Sequence, residues 1–183
     1  MASQIALLRG INVGGNRKFP MARQRELMAE LGFEDVTVHL QTGNIVFADP
    51  GTPPERTART LEDHFAAGLG FPVDVMVRTR DELAAAVEAN PYPEAVAEPK
   101  TLHVVFLADA PANQDALATL NALDPAAYAP EAFRLIGREI FLHCPDGVGR
   151  SKLAAKITNA RLGVPATARN WNTVTKLLAL ADR

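Results

Sequence analysis

Four segments of this chain combine glycine, amide side chains and Arg or Lys, a composition that offers backbone N–H groups and positive charge to an oxygen-rich anion. They are residues 8–15 (Leu-Arg-Gly-Ile-Asn-Val-Gly-Gly), 41–44 (Gln-Thr-Gly-Asn), 145–152 (Pro-Asp-Gly-Val-Gly-Arg-Ser-Lys) and 167–173 (Thr-Ala-Arg-Asn-Trp-Asn-Thr). In the first, Gly14 and Gly15 permit close backbone approach, Asn12 supplies an amide, and Arg9 and nearby Lys18 supply charge. Asn44 adds a second amide. In the third, Gly147, Gly149, Arg150, Ser151 and Lys152 precede a helical pattern, with Ser151 or Asp146 placed to cap it. The fourth contributes Arg169 and Asn170, the latter a natural N-cap for the apolar periodicity that follows.

None of these is a named catalytic motif. The first loop lacks the G-x-G-x-x-G order of a dinucleotide fingerprint, and 146–152 lacks the Gly-Lys-Ser/Thr order of a P-loop. The run 149–153 lacks the second glycine of a nucleophile elbow. The competing reading of each segment is structural: a long turn, a capped helix start, or a core tryptophan in Trp171. His39, His64, His103 and His143 have no zinc-site spacing, and Cys144 alone cannot complete a thiolate set, so we read these as packed or surface residues and expect no metal site. The sequence leaves any cofactor unknown.

Composition sets the class. The 183 residues are 48% hydrophobic and 22% charged, with no apolar run of membrane-spanning length. A single cysteine and no secretory pattern lead us to expect a cytoplasmic protein. The net charge of −2 argues against general nucleic-acid binding. Its distribution is uneven. Residues 1–25 hold Arg9, Arg17, Lys18, Arg23 and Arg25 and no acid, and residues 134–176 are basic again through Arg134, Arg138, Arg150, Lys152, Lys156, Arg161, Arg169 and Lys176. The acidic excess lies between them. The expectation is a basic concave site built from both ends of the chain, with Arg9, Lys152 and Arg169 facing one cleft.

The elements that must position these residues follow from periodicity. A strand at 4–9 leads through a long connection, Gly10 to Pro20, to a helix near 21–31. Strands at 36–40 and 45–48 flank the 42–44 turn, and a helix near 55–68 stops at Gly70 before a strand at 73–77. A helix at 80–89 ends in a Pro-rich, acidic linker at 90–100. Strand 102–107, helix 112–122, strands 132–136 and 139–143, helix 151–162, strand 165–168 and helix 171–181 repeat the plan.

Two sequence echoes support a duplication. Residues 42–47 match 136–141, and 69–72 match 162–165, at offsets of 94 and 93. The expected fold is α+β: two tandem ferredoxin-like βαββαβ units, each followed by an extra helix. Their expected bounds are 1–89 and 101–183, joined by the 90–100 linker.

The same segments resemble the largely bacterial family known as domain of unknown function 1697. The resemblance rests on residues 8–15, on Thr42-Gly43-Asn44, on Pro145-Asp146-Gly147 with Gly149, Ser151 and Lys152, and on Thr167 with Arg169-Asn170-Trp171. It implies a compact α+β fold of two ferredoxin-like units and supplies no activity. The leading expectation is a site for a small phosphorylated or carboxylated ligand, with no membrane association. Any reaction there would be transfer or hydrolysis at a phosphate or acyl group, with Arg9, Lys152 and Arg169 stabilising charge. The alternatives are a binding module for RNA or single-stranded nucleic acid, which needs exposed sheet aromatics, a role Phe47, Phe106 and Phe141 fit no better than buried strand positions, and an interaction protein without a ligand.

Overall fold

The computed structural model describes residues 2–183. Among these the chain forms two four-stranded antiparallel sheets and seven α-helices. It divides into two compact units, one holding residues up to Ala85 together with Thr175–Arg183, the other Ala86–Val174.

In the first unit, β1 (Ser3–Leu8), α1 (Met21–Glu30), β2 (Thr37–Val38), β3 (Asn44–Ala48), α2 (Pro54–Leu69) and β4 (Val75–Thr79) follow one another. The sheet order is β2-β3-β1-β4. Ala6 stands opposite Ile45 and Val77, and alternation carries Leu8, Phe47 and Val75 to the same face, where they pack with Leu27, Met28, Leu61 and Phe65 from α1 and α2. The opposite face is buried too, through Ile5, Leu7, Val46, Met76 and the charged Arg78.

The 36–40 strand shrinks to Thr37–Val38, because Asp35 and Leu40 take positive φ (52° and 60°), which extended backbone cannot accommodate. The strand expected at 73–77 is shifted by two residues, since β1 pairs with 75–79. Helix α2 stops at Gly70, whose left-handed φ of 77° closes the last turn.

In the second unit the order recurs: β5 (Leu102–Leu107), α4 (Gln114–Asn121), α5 (Pro125–Tyr128), β6 (Ala132–Ile136), β7 (Glu139–His143), α6 (Lys152–Asn159) and β8 (Ala166–Asn170), with sheet order β6-β7-β5-β8. The short α5, capped by Asp124, was not expected from periodicity because four residues carry too little pattern. Val105, Leu107, Ile140 and Leu142 face Leu120, Leu153 and Ile157. Helix α6 ends at Asn159, short of 162, where Ala160 turns extended.

Helix α3 (Arg80–Glu88) spans the boundary between the units, and α7 (Trp171–Ala181) begins in the second and ends among residues of the first. There Ser3 Oγ donates to the Ala181 carbonyl at 3.3 Å, and Arg80 Nε meets Asp182 Oδ1 at 2.7 Å. Residues 93–101 form two 3₁₀ turns, Pro93–Ala97 and Pro99–Thr101. Among the described residues, no helix is long and apolar enough to cross a membrane.

Candidate functional site

The first-unit segments turn out to be tightly self-bonded. Asn12, at φ 55°, accepts from the Phe19 N–H through Oδ1 (2.8 Å) and donates through Nδ2 to the carbonyls of Phe19 (3.0 Å) and Gln41 (2.6 Å). These bonds draw 12–19 into a closed loop, with Gly14 and Gly15 at an exposed tip beside Val13, which is 64% exposed. Arg17 donates to the Pro72 carbonyl and lies over the Phe71 ring at 5.1 Å, so its charge is engaged within the unit.

Asn44 is fully buried, and its Nδ2 donates to the His39 carbonyl (2.8 Å) and to Thr42 Oγ1 (3.0 Å). Two of the predicted ligand amides therefore hold backbone. Arg9 is half exposed and pairs with Asp74 at 3.3 Å, while Lys18 is exposed.

In the second unit, Gly147 takes φ 88° and leads into a 3₁₀ turn over Val148–Arg150 that contains Gly149. Ser151 caps α6: its Oγ accepts from the Ala154 N–H at 2.8 Å. The same oxygen donates to Glu131 Oε2 at 2.9 Å and lies 3.4 Å from Cys144 Sγ, so a carboxylate of the chain itself stands behind the helix start. Burial pushes the Cys144 thiol up, partly offset by its bond to Ser151.

Arg169 is buried on β8, where one guanidinium nitrogen donates to Thr167 Oγ1 (2.7 Å) and to the Ala168 carbonyl (2.9 Å). Burial lowers its pKa to about 10, which leaves it charged at neutral pH. Asn170 caps α7, accepting from the Thr173 N–H at 3.0 Å, and Trp171 is 93% buried, as a core tryptophan should be.

Lys152 opens α6 and lies on the wall of a groove between α4 and α6 of about 710 Å³. One wall is the α6 face Lys152, Ala155, Lys156 and Asn159. The other is the α4 face Ala116, Thr119 and Leu120, continued by Leu123 and Tyr128. Both sets follow the i, i+3, i+4, i+7 spacing of one helical face. Leu153, Ala154 and Ile157 turn the other way, into the core. Neither Lys152 nor Lys156 has an ion-pair partner among the described residues.

Sequence reading counted Lys156 in the basic stretch but did not name it as a site residue, although its position four residues after Lys152 was the available signal. Arg78 was not named either. It is 1% exposed on β4, opposite Ile5, as Arg169 is opposite Val104 on β8. An arginine in an otherwise apolar strand was its only mark. Among the described residues, no group of His, Cys, Asp or Glu could hold a metal ion.

Comparison with known proteins places the chain in a family. The chain belongs to the family described as Protein of unknown function (DUF1697), whose model matches residues 1–141. That match takes in the 8–15 and 42–44 segments and stops before the loop at 145–152. A conserved bacterial protein from Streptococcus pneumoniae has the same fold, with 22% identity, 98% of each chain covered and a TM-score of 0.81. No curated protein matches the chain.

Proposed function

We propose that this protein binds a small phosphorylated or carboxylated organic anion, and that the groove between α4 and α6 receives it. The observation that carries the reading is the pair Lys152 and Lys156, neither in an ion pair among the described residues, beside a concavity whose 710 Å³ falls within the ~300–1,000 Å³ usual for ligand sites. Arg150, exposed in the turn that precedes α6, adds a further positive charge next to Lys152 in the chain, and Gly147 and Gly149 belong to the same turn. In the first unit, Lys18, Arg9 and the exposed Gly14-Gly15 tip remain candidates for a contribution to anion binding, with Asn12 and Asn44 supporting them structurally.

Each unit is further read as ferredoxin-like. The order β2-β3-β1-β4, with a helix in each crossover, supports that reading, as does its recurrence in β6-β7-β5-β8. The echoed segments support a duplication as well. Gly43 and Gly137 both take positive φ in turns that join paired strands, although the second turn is the tighter. Burial of Phe47, Phe106 and Phe141 favours a small anion over single-stranded nucleic acid, because none presents a stacking surface. The lone, buried Cys144 fits a reducing compartment such as the cytoplasm.

A thermal-shift screen of inorganic phosphate and phosphorylated or carboxylated metabolites tests the reading, run on the parent, Lys152→Ala and Lys156→Ala. An anion that raises the parent's melting temperature, with the increment lost in the lysine variants, supports it. If no anion shifts the parent, or all three proteins respond alike, the site is not there.

A further inference from the structure

We infer that the groove between α4 and α6 takes an anion with an unbranched aliphatic body: an acyl or alkyl chain ending in one carboxylate or phosphate. The inference rests on the anion-binding reading above and adds the substrate class. Charge lies on one wall only, as Lys152 and Lys156 one turn apart on α6, and both side chains are exposed. The facing wall is mostly apolar or small, with Ala116, Leu120 and Leu123 beside Thr119 and Tyr128, and Ala155 and Ala160 complete the trough.

Polar recognition along the groove is sparse. Thr119, Tyr128 and Asn159 are the neutral polar side chains in the lining, too few to satisfy the hydroxyls of a sugar or the edge of a nucleobase, whose burial without partners is costly. Alanines leave a narrow trough in which Tyr128 is the single aromatic side chain. From Lys152 to Asn159 the helix rises roughly 10 Å, about the length of an extended octanoyl chain. A head held at the lysines therefore leaves the chain lying against Ala155, Leu120 and Leu123. The contact completes an apolar surface that the core already begins, since Leu120 belongs to the second unit's hydrophobic cluster.

The test is calorimetric titration of the full chain with acetate, butyrate, hexanoate, octanoate, octyl phosphate and inorganic phosphate. Affinity should rise by roughly three- to fourfold for each methylene added across the carboxylates. Comparing octanoate with octyl phosphate identifies the preferred head. Loss of Lys152 and Lys156 together should weaken octanoate by at least about tenfold, the scale of a charge-assisted hydrogen bond. Ala155→Trp, at an exposed position, should fill the trough and remove octanoate binding while the unliganded melting temperature holds.

A flat chain-length series, with phosphate and acetate still bound in a lysine-dependent way, would overturn the aliphatic assignment and leave the anion site standing. Octanoate binding indifferent to Ala155→Trp would overturn it as well. Absence of binding by every probe, phosphate included, would overturn both readings.

Discussion

Asn12 and Phe19 are joined by a reciprocal pair of hydrogen bonds, Phe19 N–H to Asn12 Oδ1 at 2.8 Å and Asn12 Nδ2 to Phe19 C=O at 3.0 Å. One amide side chain thus imitates a strand partner and closes the loop, alongside the backbone bonds Asn12 N–H to Arg17 C=O and Asn16 N–H to Val13 C=O, both 3.0 Å. It works at φ 55°, a conformation Asn tolerates better than most residues. The link also seats Phe19, which is fully buried and meets Phe65 edge-on at 5.0 Å.

Replacing Asn12 should therefore cost fold stability before it costs any ligand. Asn12→Ala is expected to lose about 1–3 kcal/mol, because the Phe19 N–H loses its acceptor and the Gln41 carbonyl a donor, while the Phe19 carbonyl keeps Gln24 Nε2 at 2.9 Å. Asn12→Asp keeps an acceptor for the Phe19 N–H but turns a second oxygen toward two carbonyls, so it should be no better than alanine. Urea denaturation of the three proteins measures this, and equal midpoints would refute the clamp.

Gly43 and Gly14 both have positive φ but should respond differently to alanine. A Cβ at Gly43 would come within 2.5 Å of Leu8 Cβ, a rigid atom on a buried strand, whereas Gly14 faces open space. Gly43→Ala should destabilise by at least ~2 kcal/mol, from backbone strain plus overpacking. Gly14→Ala should cost only ~1 kcal/mol, for the left-handed backbone alone. Similar losses in denaturant melts would contradict the close approach.

Cys144 should make the alkaline limb of stability steeper. Burial raises its folded pKa above the ordinary 9.0, so the unfolded thiol ionises first as pH climbs. Its contribution is thus whole below pH 9 and is lost as pH rises through the folded value. Cys144→Ala should flatten the stability profile above pH 9. The native thiol should also resist a thiol reagent at neutral pH, and Ser151→Ala should speed its labelling by removing the α6 cap, a loss of about 1 kcal/mol. Rapid labelling of the parent would show that the thiol is not held as described.

His103 should add to the loss of stability in acid. It is half-buried on β5, its Nδ1 has no partner among the described residues, and burial lowers its pKa below 6.5. Neutral imidazole is favoured in the fold, so the unfolded chain takes the proton first on acidification. Stability from this group is whole above pH 6.5 and is lost as pH falls through the depressed folded value. His103→Leu should reduce the loss of stability just below pH 6.5. A profile unchanged by the substitution would assign the acid sensitivity elsewhere.

What could be read from the sequence was local. Alternation located β5, β6 and β7, the i, i+3, i+4 pattern located α1, α2 and α7, and Ser151, Asn170 and Gly70 marked helix ends because caps and left-handed stops are settled within a few residues. The presence of Gly, Asn and basic residues in the four loops was equally plain. Their duties were not, because a hydrogen-bond partner is chosen by the fold. Asn12 finds Phe19 and Gln41, Asn44 finds His39 and Thr42, and Ser151 finds Glu131. The groove is likewise tertiary. Ala116–Leu123 and Lys152–Ala160 become its facing walls only when β5, β7 and β8 fix α4 and α6 on one face of a sheet. Periodicity tells a helix which face to bury, but the space left beside a buried face depends on where the neighbouring helix stops.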